Sequence, residues 1–518
     1  MARHTLPLLL LVASVSVGAL ACSDTRVPTA QPPPPPAPPP PPPPPPSSFA
    51  ISPALDTLTV GEMVTFHLSK CRVDEWWLSD SALAGIDSAD MPSCDASDTG
   101  RYNVIRVFAR AKGTVTLTAT HQAGDTAQAT LVIREPQPGE WESIDLGLVD
   151  SATSAVATAI ADDGTIVGML AKGGEYNWGA FVYRDGALRR LQYPGRIAIP
   201  LVVGPSGRIA GTSGGGPAGM VLVWDTPDAQ PRQLAVRGYE FADLVGVNER
   251  GDVLFAATAR CGSAGTVFIC RPPSEIPVTA RSVLWRDGVA VDLGSLGDST
   301  VESWTEAKAW NAKGQIVGRS QVRHREFDSD SHAEDADKFA FYHPFLWENG
   351  VMRDLGVLAP LSCTSGGKTF DCSWGVARDI NANGVVVGTA NNADGEPTAF
   401  IWENGVMRDL GLGPYSEAVA INDRGQVWVR VDSPFKSFLW ENGQIQPIEY
   451  GLDANALGPN GPVVGWAPKP GDPLASEAFF WKAGVLTMLG EGFAVAVNGR
   501  DEVVGVSSKR AMLWRKKP

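Results

Sequence analysis

The densest set of metal-ligating side chains lies in the stretch RHREFDSDSHAEDADK at 323–338. There Asp328, Asp330, His332, Asp335 and Asp337 could gather round a hard cation. An EF-hand loop needs a glycine at its sixth position for the sharp turn, and none stands there. A solvated acidic loop is the simpler reading. The expected cofactor complement is therefore none, with calcium at this loop as the alternative. A second chemistry is stacking. Tyr176, Trp178, Trp304, Trp374 and Trp466 fall outside the positions at which aromatic residues recur along the chain. An exposed ring of this kind can stack on a sugar or anchor a protein partner; packing beneath a long connection is the competing reading for each. Catalysis finds less support. Residues 211–215 match a nucleophile elbow by letters, and Gly214, Gly216 and Gly219 match a dinucleotide fingerprint. GGKT at 366–369 matches the end of a phosphate loop. Nothing near the first two reads as the required helix, Pro217 interrupts the second, and Ser362 replaces the leading glycine of the third. Five histidines follow residue 22, none in a recurring position, so no acid–base dyad and no catalytic residue is nominated.

The elements that position these side chains are strands. The chain has 518 residues, and its 55 Gly, 41 Pro and 16 Trp point to many turns and many packed aromatic strands. Its net charge is −14, and no basic cluster stands out, which excludes a nucleic-acid partner because phosphate binding needs Lys and Arg gathered on one face.

Residues 1–21 read as an export signal: Arg3 and His4, an apolar stretch from Leu6 to Gly18, then small residues. That stretch is too short to span a bilayer, and no later one is long enough. The run ALAC resembles a bacterial lipoprotein signal, although Leu is commoner than Ala19 at its place. The resemblance implies that Cys22 is the lipidated first residue, and Ser23 after it implies an outer-membrane or cell-surface address. With Cys22 set aside, six of the seven cysteines remain in three local pairs: Cys71 with Cys94, Cys261 with Cys270, and Cys363 with Cys372. An oxidising compartment lets each pair close a surface loop, and none has the spacing of a zinc knuckle. Residues 22–48 form a tail whose proline run, Pro32 to Pro46, adopts a stiff polyproline II spacer.

Residues 49–135 alternate with period two between turn signals, the pattern of an all-β sandwich. LTVGEMVTF, WWLSDSALAGI and AKGTVTLTAT resemble the bacterial Ig-like domain of group 2, in whose family such a module is a spacer or adhesion unit. One of Trp76 and Trp77 should sit between the sheets. After a linker at 136–140, residues 141–518 repeat. An aromatic strand ending in a turn (FLWENG, FIWENG), a turn-centred strand pair (DINANGVVVG) and a closing DLG strand each recur about eight times. Four short strands per unit fit propeller blades. WESIDLG at the start lacks an aromatic partner and MLWRKK at the end lacks a closing strand, so pairing them would complete one blade from both ends and remove an open edge. The expectation is an all-β chain: a small Ig-like sandwich followed by a closed β-propeller of eight blades, with seven as the alternative. The units also resemble the HAF repeats of extracellular bacterial proteins, whose family implies an exported β-repeat and no activity.

The repeat phase sorts the connections. The NxxG and ENG turns share one parity and are short, while the insertions at 169–179, 257–281, 319–341, 357–375 and 467–477 share the other and should emerge on one face. Long loops gathered on a rigid scaffold are where binding usually resides. Two functions follow. One is a non-catalytic, monomeric surface lipoprotein that touches the membrane through its lipid alone and binds an extracellular glycan or protein with the long-loop face. The other is a propeller enzyme acting on polysaccharide or a lactone-like substrate, which would need carboxylates or a metal converging on the central channel.

Overall fold

The computed structural model describes residues 50–518 apart from 62, 69–72, 88–102, 122–123, 174, 194–196, 205–206, 214–220, 235–240, 249, 259–261, 265–266, 270–279, 298–303, 323–340, 366–367, 433–434, 449–451 and 470–471. The described chain is all-β, without a helix, and its sheets are four-stranded apart from two short hairpins.

Two of the four-stranded sheets belong to residues 51–134. One is ordered Ile51–Ser52, Met63–Leu68, Asn103–Ala109, Ala84–Asp87; the other is ordered Leu55–Thr59, Thr126–Arg134, Gly113–His121, Val73–Leu78. Alternation does the sorting: Ala127, Ala129, Leu131 and Ile133 are buried while their neighbours along the same strand face out. They join Phe66, Ile105, Val107 and Leu117 in one core. Trp76 packs against that core and Trp77 is 46% exposed.

Residues 141–518 form eight further sheets, each an antiparallel succession of four strands. Their first strands are Ser154–Ile160, Ile197–Val203, Phe241–Val247, Thr305–Trp310, Gly375–Ile380, Ser416–Ile421, Asp453–Leu457 and Phe493–Val497. Each first strand touches the next, and the eighth touches the first. The eighth sheet takes its fourth strand from the opposite end of the chain, Trp141–Asp145 pairing with Arg510–Lys516. Each strand feeds two cores. Phe400 and Trp402 pack with Val317 and Leu346 of the fourth sheet, while Ala399 and Ile401 pack with Val427 and Val429 of the sixth. A sheet covered on both faces must be apolar on both.

Seven of the eight first strands carry a one-residue bulge at the same place, for instance between Ala377 and Asp379, and in the second sheet the shift is wider, from Ala198 to Val202. In five sheets this brings a first-strand carbonyl onto a glycine of the second strand: a Cβ at Gly168, Gly318, Gly388, Gly465 or Gly505 would lie 1.9–2.1 Å from it. The recurring terminal glycine of the IVG and VVG strands is thus a packing requirement.

The first sheet pair meets the eighth sheet directly. Phe108 joins the cluster of Trp141, Phe480 and Trp514, and Gly61, at φ +93°, lies so close to Ser143 that a Cβ would fall 1.5 Å from its carbonyl oxygen. Between them Glu140 accepts from Arg134 (2.7 Å) and from the Gln137 amide (2.9 Å), which hold its carboxyl below the usual range. A cleft of about 500 Å³ remains at this junction; of its lining charges, Asp145 pairs with Arg510 at 2.7 Å, and Glu142 pairs with Arg515 at 2.7 Å.

Candidate ligand-binding site

In an antiparallel succession of strands, the first-to-second and third-to-fourth turns lie at one end of the sheet and all other connections at the opposite end. The strands that flank the five insertions meet them at that second end. Two of them are not loops: 169–179 and 467–477 are mostly strand, because Ile166–Lys172 pairs with Glu175–Arg184 and Val463–Lys469 with Asp472–Lys482. A third, 357–375, carries a hairpin of Ser362–Ser365 and Lys368–Asp371, bridged at its base by Cys363–Cys372 with a Cα separation of 5.7 Å.

Two of the nominated aromatics stand at equivalent positions. Trp304 accepts the amide of Gln321 at its carbonyl (2.8 Å), and Trp374 accepts that of Asn391 (3.0 Å). A third residue shares the geometry: Tyr415 accepts the amide of Asp432 (3.0 Å). The three immediately precede the first strands of sheets four, five and six, at the end where the insertions emerge. Trp304 and Trp374 are half-buried and Tyr415 is 49% exposed. Trp374 is clamped from both sides, since its own amide donates to Oδ1 of Asn391 (2.7 Å), and Asn391 also donates to Ala359 of the insertion (2.8 Å). Tyr415 went unnoticed because GPYSE reads as a turn. Aligning WTEAKAWN, WGVARDIN and YSEAVAIN on their shared asparagine brings the three aromatics together.

Trp466 lies elsewhere, on the second strand of the seventh sheet, where it meets Phe493 of the eighth at 5.3 Å between ring centres. Phe493 is 40% exposed, so this pair is a second aromatic surface at the same end. Tyr176 and Trp178 fall on the strand Glu175–Arg184, and their side chains are outside what is described. Cys22, Cys71, Cys94, Cys261, Cys270 and the acidic set Asp328, Asp330, His332, Asp335 and Asp337 also lie outside the described residues.

Below the aromatic positions, sheets four and six carry matching charged groups. Glu306 faces Arg319 across the strands and accepts from it (2.8 Å) and from Lys308. Glu417 faces Arg430 in the same way (2.7 Å) and also binds Arg378 of the fifth sheet. Burial pushes the Glu306 carboxyl up, but the hydrogen bond from Lys308 and the charges of Arg319 and Lys308 outweigh it and hold it below the usual range. Sheet five has Val376 opposite Thr389 at this level.

The short-turn end is joined differently. Asn311 donates to the carbonyl of Asn381 in the next sheet (2.9 Å), Asn381 to Asn422 (3.2 Å), and Asn422 to Gly458 (3.3 Å). Asn498 of the last sheet donates to Ala161 of the first (3.1 Å). Asp423, which looks like a mere turn former, accepts the amide of Ala382 (2.7 Å), and Asp162 accepts that of Gly499 (2.7 Å). Asp379 accepts from the amides of Ile421 and Ile380 (2.8 Å each). Burial and, less strongly, the Asp423 charge raise its carboxyl to about 6 against the pull of those amides.

One acid–base pair is present that the sequence did not suggest: His343 Nδ1 lies 2.8 Å from Asp354. Ser320 is its cross-strand neighbour, but that hydroxyl is fully buried and engaged by Thr305 (3.1 Å) and the Leu296 amide (2.9 Å). It is not placed as a nucleophile. Among the described residues no group of three or more His, Cys, Asp or Glu could hold a metal.

No protein-family model matches the chain, and no match is found among curated proteins. Among solved structures it is similar to dipeptidyl peptidase 4 of Porphyromonas gingivalis, with 11% identity over 73% of this chain and 56% of that one and a TM-score of 0.42. It is similar to a gluconolactonase of Xanthomonas campestris, at 10% identity over 73% and 90% of the two chains, TM-score 0.31. YCF48 of Cyanidioschyzon merolae matches at 10% identity over 68% and 98%, TM-score 0.31. Likeness at this level carries no argument about activity or ligand.

Proposed function

We propose that the chain is an exported lipoprotein, anchored through Cys22, whose eight repeat sheets form a closed β-propeller that binds an extracellular glycan or protein without transforming it. The observation that carries the binding reading is the equal placement of Trp304, Trp374 and Tyr415 on three neighbouring sheets at the end where the insertions gather. Closure is supported by the strand 141–145 completing the last sheet and by the Asn498 bond to the first. Residues 49–135 act as an Ig-like stalk: Ile51 pairs with Leu68, while the junction with the propeller lies at the Gly61 and Phe108 end of the same sheet. The Cys363–Cys372 bridge fits an oxidising compartment.

The test is to incubate residues 49–518 with insoluble polysaccharides and bacterial envelopes and to score retention and new reducing ends in the same tubes. Retention without new ends is expected. New reducing ends would remove the non-catalytic reading, and no retention on any material would remove the binding reading.

A further inference from the structure

In seven of the eight repeat sheets the fourth strand follows the third directly in the chain. In the eighth, the fourth strand is Trp141–Asp145, which comes from the far end of the repeat region and has one neighbour in its sheet, Arg510–Lys516. No short turn returns it to that partner once it peels away, and a strand at a sheet edge is where local opening starts. Residues 51–134 rest on this strand. Gly61 lies against the carbonyl of Ser143, and Ser143 is buried. Ile105, Val107 and Ala109 face the sandwich core, so Phe108 of the same strand faces out of it and packs with Trp141, Phe480 and Trp514. Phe480 belongs to the seventh sheet, and the contact continues there: Arg106 lies 3.9 Å from Glu491, a buried carboxylate that Lys469 also holds at 2.8 Å.

We propose that residues 51–134 are a clamp on the ring: they lie over its closing strand, reach the neighbouring seventh sheet and keep the two ends of the repeat region joined. The inference rests on the closed-propeller reading above and gives the sandwich a second role beside that of a stalk. A stalk needs only the covalent link at 136–140. Here the link itself is drawn into the closure. The Gly139 amide donates to the Lys517 carbonyl (2.9 Å) and the Lys517 amide to the Glu140 carbonyl (2.8 Å), which carries the pairing of the two ends past the closing strand. Arg134, on the last sandwich strand, holds Glu140 from the other side (2.7 Å).

Amide hydrogen exchange, read by mass spectrometry on residues 49–518, which form one compact unit, tests it. In the parent, 141–145 should be as protected as 351–354, a fourth strand joined to its partner by a turn. Phe108→Ala leaves the sandwich core untouched and should speed exchange at 141–145 about tenfold, with 351–354 unchanged. Gly61→Ala should do the same by driving a Cβ into Ser143. Its control is Gly124→Ala, since Gly124 shares the left-handed backbone (φ +84°) but has nothing within 4 Å of the added carbon. Exchange at 141–145 that stays at the parent's rate in both junction variants would overturn the clamp and leave the closed ring standing. So would equal acceleration at 141–145 and 351–354, or an effect of Gly124→Ala as large as that of Gly61→Ala with Phe108→Ala silent. A parent whose residues 141–145 exchange as freely as its turns would remove the closed ring and the clamp together.

Discussion

At the short-turn end of the sheets, four asparagines repeat one bond, each amide reaching the neighbouring sheet's turn. At the opposite end sheets four, five and six share an aromatic position, but its surroundings differ: a disulfide-bridged hairpin precedes Trp374, Tyr415 is left-handed, and sheets seven and eight add the Trp466–Phe493 pair. One end keeps the sheets in step, and the same need recurs at the four interfaces joined this way. The other is released from that need, so it can vary and carry recognition. Between them lies the bulge that both ends share.

That shared layer is where a substitution should do most damage. A Cβ on Gly388 would meet Val376 O at 2.0 Å and the Phe400 ring at 3.0 Å, so neither backbone nor core can yield cheaply. Gly388→Ala should cost about 3 kcal/mol, read as a lower urea midpoint. A loss below roughly 0.5 kcal/mol, the usual range of surface changes, would mean that the bulge relaxes and that the two ends are not mechanically tied through it.

Next come two matched asparagines. Asn422→Ala removes the bond to Gly458 and the acceptor for the Arg424 and Gln426 amides (3.1 Å each), whereas Asn391→Ala frees the Trp374 amide and the Ala359 carbonyl. Each should cost about 2 kcal/mol for buried groups left unpaired. Only Asn391→Ala should also weaken retention on the material that the parent binds. Equal retention by the two variants would blur the division between a joining end and a recognising end.

The two ends also differ in how far they could be read from residue order. The repeated turn was legible because asparagine and glycine at fixed spacing have a local cause: Asn381 Oδ1 accepts the Asn383 and Val385 amides of its own turn, and Gly384 takes φ +89°. What the other half of Asn381 does, donating to a sheet 41 residues away, has no local signature. The parity of the insertions was legible for the same reason as strand alternation, since it needs only a count of strands. Tyr415 was not, because its importance depends on sharing a register with Trp304 and Trp374 across three separate sheets. The extended hairpins at 169–179 and 467–477 looked like loops because glycine and proline there suggest turns, while cross-strand pairing carries the ladder past them.

The smallest effect expected is a pH dependence confined to the joining end. Asp379 has a folded-state pKa of about 6, above the ordinary carboxylate value of 3.8, because burial outweighs the amides of Ile421 and Ile380. The folded state therefore holds this proton more tightly than the unfolded chain, so the contribution is present in acid and is lost as pH rises through about 4 to 6. For a half-buried group this amounts to roughly 1 kcal/mol, below the full value of the shift. Denaturation midpoints of the parent and of Asp379→Asn, measured at about pH 4.5 and pH 7, isolate it. The advantage of the parent over the variant should be greater at the lower pH, with retention on ligand altered at neither. A difference that stays flat with pH would show that the carboxylate is accommodated at neutral pH. A change in retention would mean that the joining end reaches the recognising end after all.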